Sequence, residues 1–322
     1  MARSSEGHAL RGGARVWTNG VVIGDQTFGI DKAGGFRGLT CKRVDGHGCA
    51  SAIVWNYFII MPDYGSQLLL DARLKRERIH ELPPGARPTT HAEAYECQAR
   101  LVEGINAHDG GHCIGYKVAC TNEDAQRYLG VAEPFYGRLL STLTFNSPAL
   151  LPSGDFFMRV IESEYAFRFA RELLPAARPL ERDEIADALA GVLPGIEIVD
   201  SRFHSWTTIG AIMLTADNGS HGAWVKGAMV SDWRDLDLAN QPVELSVNGK
   251  VIERGSGSAV LGHPLNSLKW LVDRLHREGV GFKAGDYVTT GVTTKVYDAQ
   301  PGDHLVADFG SVGAIDLRFT AS

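Results

Sequence analysis

The period of apolar positions shifts along this chain, and each shift predicts a different kind of structure. From residue 1 to about 62 there is no sustained period of 2 or 3.6, and eleven of the 37 glycines fall before residue 50. Such a segment is expected to be a Gly-rich, poorly ordered extension. From 63 to 150 the pattern turns helical. SQLLLDARLKRERI carries its charges on one face and is followed by the break LPPGARP. The stretch T-H-A-E then places a capping box on Thr90 and Glu93, and Ala94, Tyr95, Leu101, Val102 and Ile105 supply an apolar face that ends before HDGGH. CIGYKVACT reads as a strand, and a cap within Thr121–Asp124 opens a short helix closed by Gly130. Residues 63–150 are therefore predicted to form a small α/β unit. From Ser153 the pattern is mostly strands, at 156–171, 196–203, 207–216, 222–230, 243–254, 286–290 and 304–319. Helices are predicted at about 180–193 and from Pro264 to Gly279. Too few helices remain for regular βαβ alternation, so 151–322 is expected to be a mostly antiparallel or mixed β domain and the whole an α+β protein.

One strand breaks its own pattern. In MRVIESEYAFRF, side-chain alternation puts Glu162 and Glu164 on one face and Ile161, Tyr165, Phe167 and Phe169 on the other. Two adjacent carboxylates on a largely buried strand repel and lose hydration unless a cation or a shared proton neutralises them. Glu197, between Ile196 and Ile198 in GIEIVDSR, is likewise a lone charge in an apolar run. Three such acids point to a hard divalent cation, Mg²⁺ or Mn²⁺, with positions left for substrate or water.

Composition narrows the partners. The chain has 322 residues, 44% hydrophobic and 22% charged, and a formal net charge of -6, so there is a sizeable core and no basic field for nucleic acid. Cysteines at 41, 49, 97, 113 and 120 form no C-x-x-C pair, and with no signal peptide evident the expectation is reduced thiols in the cytoplasm. Cys120 is read as structural. The most apolar run, Ala52–Met61, is too short to span a bilayer and too far from Met1 for a signal peptide.

The ordered set ESEYAF, GIEIVDSRF, TADNGSHGAWVKG, GSGSAVLGHPLNSLKWL, KAGDYVTTGVTTKV and PGDHLVADFGSVGAIDLRF resembles the 2-keto-4-pentenoate hydratase and 4-oxalocrotonate decarboxylase family, within the fumarylacetoacetate hydrolase superfamily. The resemblance covers about 68–322 and implies a catalytic domain of that fold type. It also implies that Glu162, Glu164 and Glu197 are the metal ligands and that Lys117, in GYKVACT, holds the substrate carboxylate or shuttles a proton. The substrate class it implies is a short 2-oxo acid or its 2-hydroxydienoate enol, from the meta-cleavage breakdown of rings. A metal bound through a carboxylate oxygen and the C2 oxygen stabilises the enolate needed both for water addition and for loss of CO₂.

The resemblance leaves the reaction open. Hydratases of this type carry an acid in a P-D-F/Y-G element, where this chain reads Glu133-Pro134-Phe135-Tyr136-Gly137; Phe135 and the turn at Thr293 look more like the decarboxylase branch. Ser205-Trp206 looks hydratase-like, and hydratases are the commoner members, so a hydratase is read first, with a decarboxylase as the alternative. A non-catalytic partner subunit of a hydratase is a further alternative. A carbon–carbon hydrolase is disfavoured because no H-x-x-E element stands near Lys117. Tyr136 and His263 are further catalytic candidates, and Phe135, Ser258 and Thr293 candidates for binding substrate. Asp217 and Asn218 are expected to fix a loop, and Asp200 with Arg202 to orient Glu197. A homo-oligomer, possibly in complex with a hydratase or decarboxylase partner, and the absence of nucleic-acid and membrane partners complete the expectation.

Overall fold

The computed structural model describes the backbone of Ala14–Trp17 (β1), Gly20–Ile23 (β2) and Gln26–Gly29 (β3), and then residues 62–321. β1–β3 form an antiparallel three-stranded sheet in a first compact unit, inside the segment expected to be a poorly ordered extension. The apolar run Ala52–Met61, Cys41 and Cys49 lie outside the described residues.

The second unit opens with helices Pro62–Lys75 (α1) and His91–Asp109 (α2). Thr90 and Glu93 form the predicted capping box, Gly110 closes α2 in the left-handed conformation, and Leu101, Val102 and Ile105 are buried against α1 and its neighbours. Strand Cys113–Ala119 (β4) follows, then helix Glu123–Leu129 (α3), capped by Asn122 and closed by Gly130, then strands Phe135–Leu140 (β5), Thr144–Asn146 (β6) and Ala149–Leu151 (β7). The remainder comprises strand Val160–Phe169 (β8), helix Arg182–Ala186 (α4), strand Leu189–Val199 (β9), helix Ala211–Ala216 (α5) and strands His221–Lys226 (β10), Pro242–Val247 (β11) and Lys250–Ser256 (β12). Helix Pro264–Arg277 (α6) and strands Tyr287–Val292 (β13), Tyr297–Asp298 (β14), His304–Asp308 (β15) and Ala314–Phe319 (β16) close the chain.

Two sheets organise these elements. The larger runs β5-β4-β13-β8-β9-β10-β6, with β14 added to β8, and the smaller runs β12-β11-β15-β16-β7. The larger sheet is mixed: β4 is parallel to β13 and β6 to β10, while the other pairs are antiparallel. It curls until β5 touches β10, giving it an inner face. Ile161, Tyr165, Phe167 and Phe169 lie on the outer face, in the main core shared with the smaller sheet and with Leu268, Leu271, Val272 and Leu275 of α6. Glu162 and Glu164, one residue out of phase, face the other way. Strands from both sides of residue 150 share this sheet, so the expected units 63–150 and 151–322 are joined through continuous strand pairing.

Several predicted elements change type. The segment 207–216, expected as a strand, is helix α5 from Ala211: AIMLTA is apolar without alternation, a pattern that suits a buried helix as well as a strand. Of the helix expected over 180–193, only Arg182–Ala186 is helical; from Leu189 the chain pairs with β8 along its length, and sheet pairing overrides local helical preference. The run 243–254 is a hairpin, turned at Asn248-Gly249, both with positive φ. The run 304–319 is likewise two strands, β15 and β16.

Gly115 in β4 has φ +143, and a Cβ there would overlap the backbone of Tyr287 in β13. Gly115→Ala is expected to lower stability by about 2 kcal/mol or more, whereas Gly154→Ala, which meets nothing within 4 Å, should be near neutral. Thermal denaturation of the two variants checks this; equal melting temperatures would remove the close approach as a constraint.

Candidate metal centre

The inner face of the curled sheet gathers the acids. Glu162 of β8 stands directly opposite Glu197 of β9, and Glu164 follows two residues on, so pairing register brings the three carboxylates to one patch. One carboxylate oxygen from each lies within 4.8 Å of the others. Glu164 and Glu197 are fully buried, and Glu162 is partly buried. Lys117 of β4 reaches the same place: its Nζ lies 3.2 Å from Glu197 Oε1 and donates to Gly219 O at 2.9 Å.

The electrostatics follow from that crowding. Burial raises the Glu164 carboxyl well above the usual carboxylate range, with Glu197 and Glu162 adding to it. Burial raises Glu162 as well, helped by Glu197 and opposed by Lys117. Glu197 goes the other way: burial opposes its charge, but Lys117 and His221 outweigh it and lower the pKa. Burial works against the Lys117 ammonium, yet Glu197, Glu162 and Glu164 together raise its pKa. Lys117 and ionised Glu197 are therefore a buried ion pair, and among the described residues the other two acids have no cation of their own.

A divalent cation fits this arrangement on the structure's own terms. Among the described residues, Glu164 Oε1 and Glu197 Oε2 are buried without any hydrogen-bond partner, a costly state for carboxylate oxygens in a protein interior. Three carboxylates against one ammonium leave two negative charges, which one divalent ion neutralises. All-oxygen donors suit a hard ion.

His221, which sequence reasoning passed over, belongs to the site. It is fully buried, and its Nδ1 lies 3.0 Å from Glu197 Oε1. Burial lowers its pKa, so the ring is neutral and Nδ1–H donates to the carboxylate. The available signal was a single titratable residue heading the apolar run HGAWV.

Other predicted residues divide. Phe135 is brought to the site's rim: it pairs with Ala119, two residues beyond Lys117, and packs with Ala211, Leu214, Leu129, Trp206 and Cys120. Cys120 is close enough for burial and Glu162 to push its thiol up to about 12, leaving it an unreactive neighbour. Tyr136 is not brought there. It points to the opposite face of β5, where its ring stacks on Tyr95 at 4.2 Å and its hydroxyl donates to Glu278 at 3.2 Å. His263 is occupied as the N-cap of α6, its Nδ1 accepting from Leu265 N–H at 3.0 Å. Ser258 is exposed on a turn, its hydroxyl 2.8 Å from that of Ser256. Thr293 is buried and spends its hydroxyl on Ser163 O at 2.7 Å, so it meets the site through the backbone between the two glutamates.

The Asp200–Arg202 pair is the weaker half of its network. Arg202 Nε donates to Asp217 at 2.8 Å, while its contact with Asp200 is 3.5 Å. Asp217 also accepts from Arg202 N–H, and Asn218 bonds both backbone groups of Arg138. Together they fix the turn that presents Gly219 O to Lys117, so this network acts on the lysine rather than on Glu197 directly.

A family model described as fumarylacetoacetate (FAA) hydrolase C-terminal matches residues 123–320. The chain belongs to this family. Among curated relatives it is 30% identical to 2-keto-4-pentenoate hydratase of Paraburkholderia phymatum over 255 residues, 78% of this chain and 95% of that protein. It is 28% identical to 4-oxalocrotonate decarboxylase of Pseudomonas putida over 249 residues, 77% of this chain and 93% of that one. Among solved structures, 4-oxalocrotonate decarboxylase from Pseudomonas putida G7, complexed with magnesium and adipate, superposes with a TM-score of 0.74 at 26% identity, covering 80% of this chain and 97% of the other. Among the described residues no helix is long and apolar enough to cross a membrane.

Two outcomes are expected of the site. Glu164→Ala should abolish Mg²⁺ binding, read by calorimetry, while the circular dichroism spectrum stays that of the folded chain; retained tight affinity would remove Glu164 from the ligand set. Because Glu162 and Glu164 bind protons more tightly folded than unfolded, their contribution to the stability of the metal-free protein is present at low pH and is lost as pH rises through their raised pKa values, above the ordinary 4.5. A cation displaces those protons, so the rise in melting temperature given by Mg²⁺ should grow with pH across that window. A flat dependence would contradict the raised values.

Proposed function

We propose that this protein is a divalent-metal-dependent lyase of short 2-oxo acids or their 2-hydroxydienoate enols, of the kind formed in meta-cleavage of rings, and that it adds water as 2-keto-4-pentenoate hydratases do. The observation that carries this reading is the buried trio Glu162, Glu164 and Glu197 with two unpartnered oxygens beside Lys117. Its support is the 30% identity to a hydratase over 95% of that enzyme's length.

In this reading Glu162, Glu164 and Glu197 hold Mg²⁺ or Mn²⁺. When bound, the ion supplies Lewis-acid stabilisation of the negative charge developing on the substrate's C2 oxygen. Lys117, held cationic by the acids around it, is an electrostatic partner for Glu197 and the substrate carboxylate rather than a base. His221 and Lys117 both contact Oε1 of Glu197, at 3.0 and 3.2 Å, which fixes that carboxylate's orientation and leaves Oε2 to the cation. Phe135, Leu214 and Trp206 form an apolar wall at the rim, which limits water near the distal carbons. The working form is a homo-oligomer in the cytoplasm.

Phe135 favours a second reading, a decarboxylase of the 4-oxalocrotonate type. It stands where hydratases carry an acid for proton transfer, and its burial among apolar neighbours leaves a distal carboxylate poorly solvated, the condition under which CO₂ departs most readily. The structural likeness to a decarboxylase holding magnesium and the dicarboxylate adipate adds to it.

Purified protein with Mg²⁺, given 2-hydroxypenta-2,4-dienoate and then 2-oxohex-3-enedioate, separates these readings. Loss of the dienol absorbance with the first substrate is the expected result. CO₂ release from the second with no turnover of the first would replace the hydratase by the decarboxylase. Silence on both, with metal bound, would leave a partner subunit of a hydratase.

A further inference from the structure

β13 and β8 are antiparallel, but their pairing shifts register between Thr289 and Val292, beside the acids. Across that shift the regular ladder is replaced by other donors. The Thr290 hydroxyl donates to Tyr165 O at 2.9 Å, and Gly291 N–H donates to Glu164 Oε2 at 2.9 Å. Thr293 delivers both its N–H, at 2.8 Å, and its hydroxyl, at 2.7 Å, to Ser163 O. Ser163 is the residue between Glu162 and Glu164. The peptide group between Ser163 and Glu164 is thus held by two donors from a single residue that is 1% exposed.

The segment also decides which oxygen is free. Gly291 N–H occupies Oε2 of Glu164, and Oε1 is the oxygen left unpartnered. Gly291 has φ +105, which disfavours a side chain, and a Cβ there would overlap Thr121. Thr293 itself is anchored from behind, its carbonyl accepting from Ser256 N–H at 3.2 Å.

We propose that Thr293 is a positioning residue for the metal ligands: its paired hold on Ser163 O, with Gly291 N–H on Glu164, fixes the spacing and orientation of Glu162 and Glu164 for the cation. This rests on reading the three glutamates as ligands. It predicts that the Thr293 hydroxyl contributes to metal affinity without touching metal or substrate.

The test is Mn²⁺ titration of the purified full chain, free Mn²⁺ being read by electron paramagnetic resonance, alongside thermal denaturation without metal. Thr293→Val keeps the volume and removes the hydroxyl; it should weaken Mn²⁺ binding about tenfold. Thr293→Ser should restore affinity to within about twofold. Thr290→Val removes the neighbouring hydroxyl, which holds Tyr165 O, and should lower thermal stability while leaving Mn²⁺ affinity near that of the parent. Unchanged affinity in a folded Thr293→Val, or equal losses in Thr293→Val and Thr290→Val, would overturn the proposal. Should Thr293→Val fail to fold, Thr293→Ser failing to match the parent's affinity while folded would overturn it too. Glu164→Ala run in parallel keeps the two readings apart: if it still binds Mn²⁺ tightly, the ligand assignment fails, and if it does not, a negative result at Thr293 falls on the positioning role alone.

Discussion

The structure is organised around like charges that are forced together out of water. Three carboxylates whose oxygens approach within 4.8 Å cannot all ionise in a buried site without compensation. Lys117 and His221 stabilise the charge on Glu197, and the raised pKa values of Glu162 and Glu164 show what remains uncompensated. A site of this kind stores its binding energy for a cation in its own repulsion. Such a cluster persists only where the surrounding fold is stable enough to hold it, and the large apolar core on the outer face of the same sheet provides that stability.

Much of the polar architecture is arranged to hold those charges at fixed positions. The curl of the larger sheet carries Lys117, three strands away from β9, within 3.2 Å of Glu197. The buried Arg202–Asp217 pair and the two bonds from Asn218 to Arg138 fix the turn whose carbonyl receives the lysine. On the other side, the irregular join of β13 to β8 supplies donors to Glu164 and to the peptide group beside it. Removing one member of such a network leaves its partners buried and unpaired, so their effects are expected to be coupled rather than additive.

The acids were legible because alternation is a strict rule: a charge at position 162 and another at 164 share a face whatever the sheet does, and Glu197 was conspicuous in an apolar run. Capping chemistry was similarly local, and so α2, α3 and α6 appear near where Thr90, the stretch Thr121–Asp124 and Pro264 put them. What could not be read was anything set by which strands are neighbours. His221 joins the site only because β10 pairs with β9, and Tyr136 leaves it because it is one residue out of phase with Phe135 on β5. His263 looked chemical and is a helix cap. The 207–216 segment, read as a strand, and 180–193, read as a helix, changed type because AIMLTA lacks alternation and because pairing with β8 took the chain from Leu189 into the sheet.

The stretch that marks family membership, residues 123–320, begins after β4 has ended. Lys117 therefore comes from outside it, on a strand inserted between β5 and β13. The stretch matched by the family model is shorter than the chemically complete unit, which the alignment to the hydratase over 255 residues spans. A fragment beginning at residue 123 would keep all three acids, lose their countercharge, and leave a gap in the wall of the sheet that encloses them.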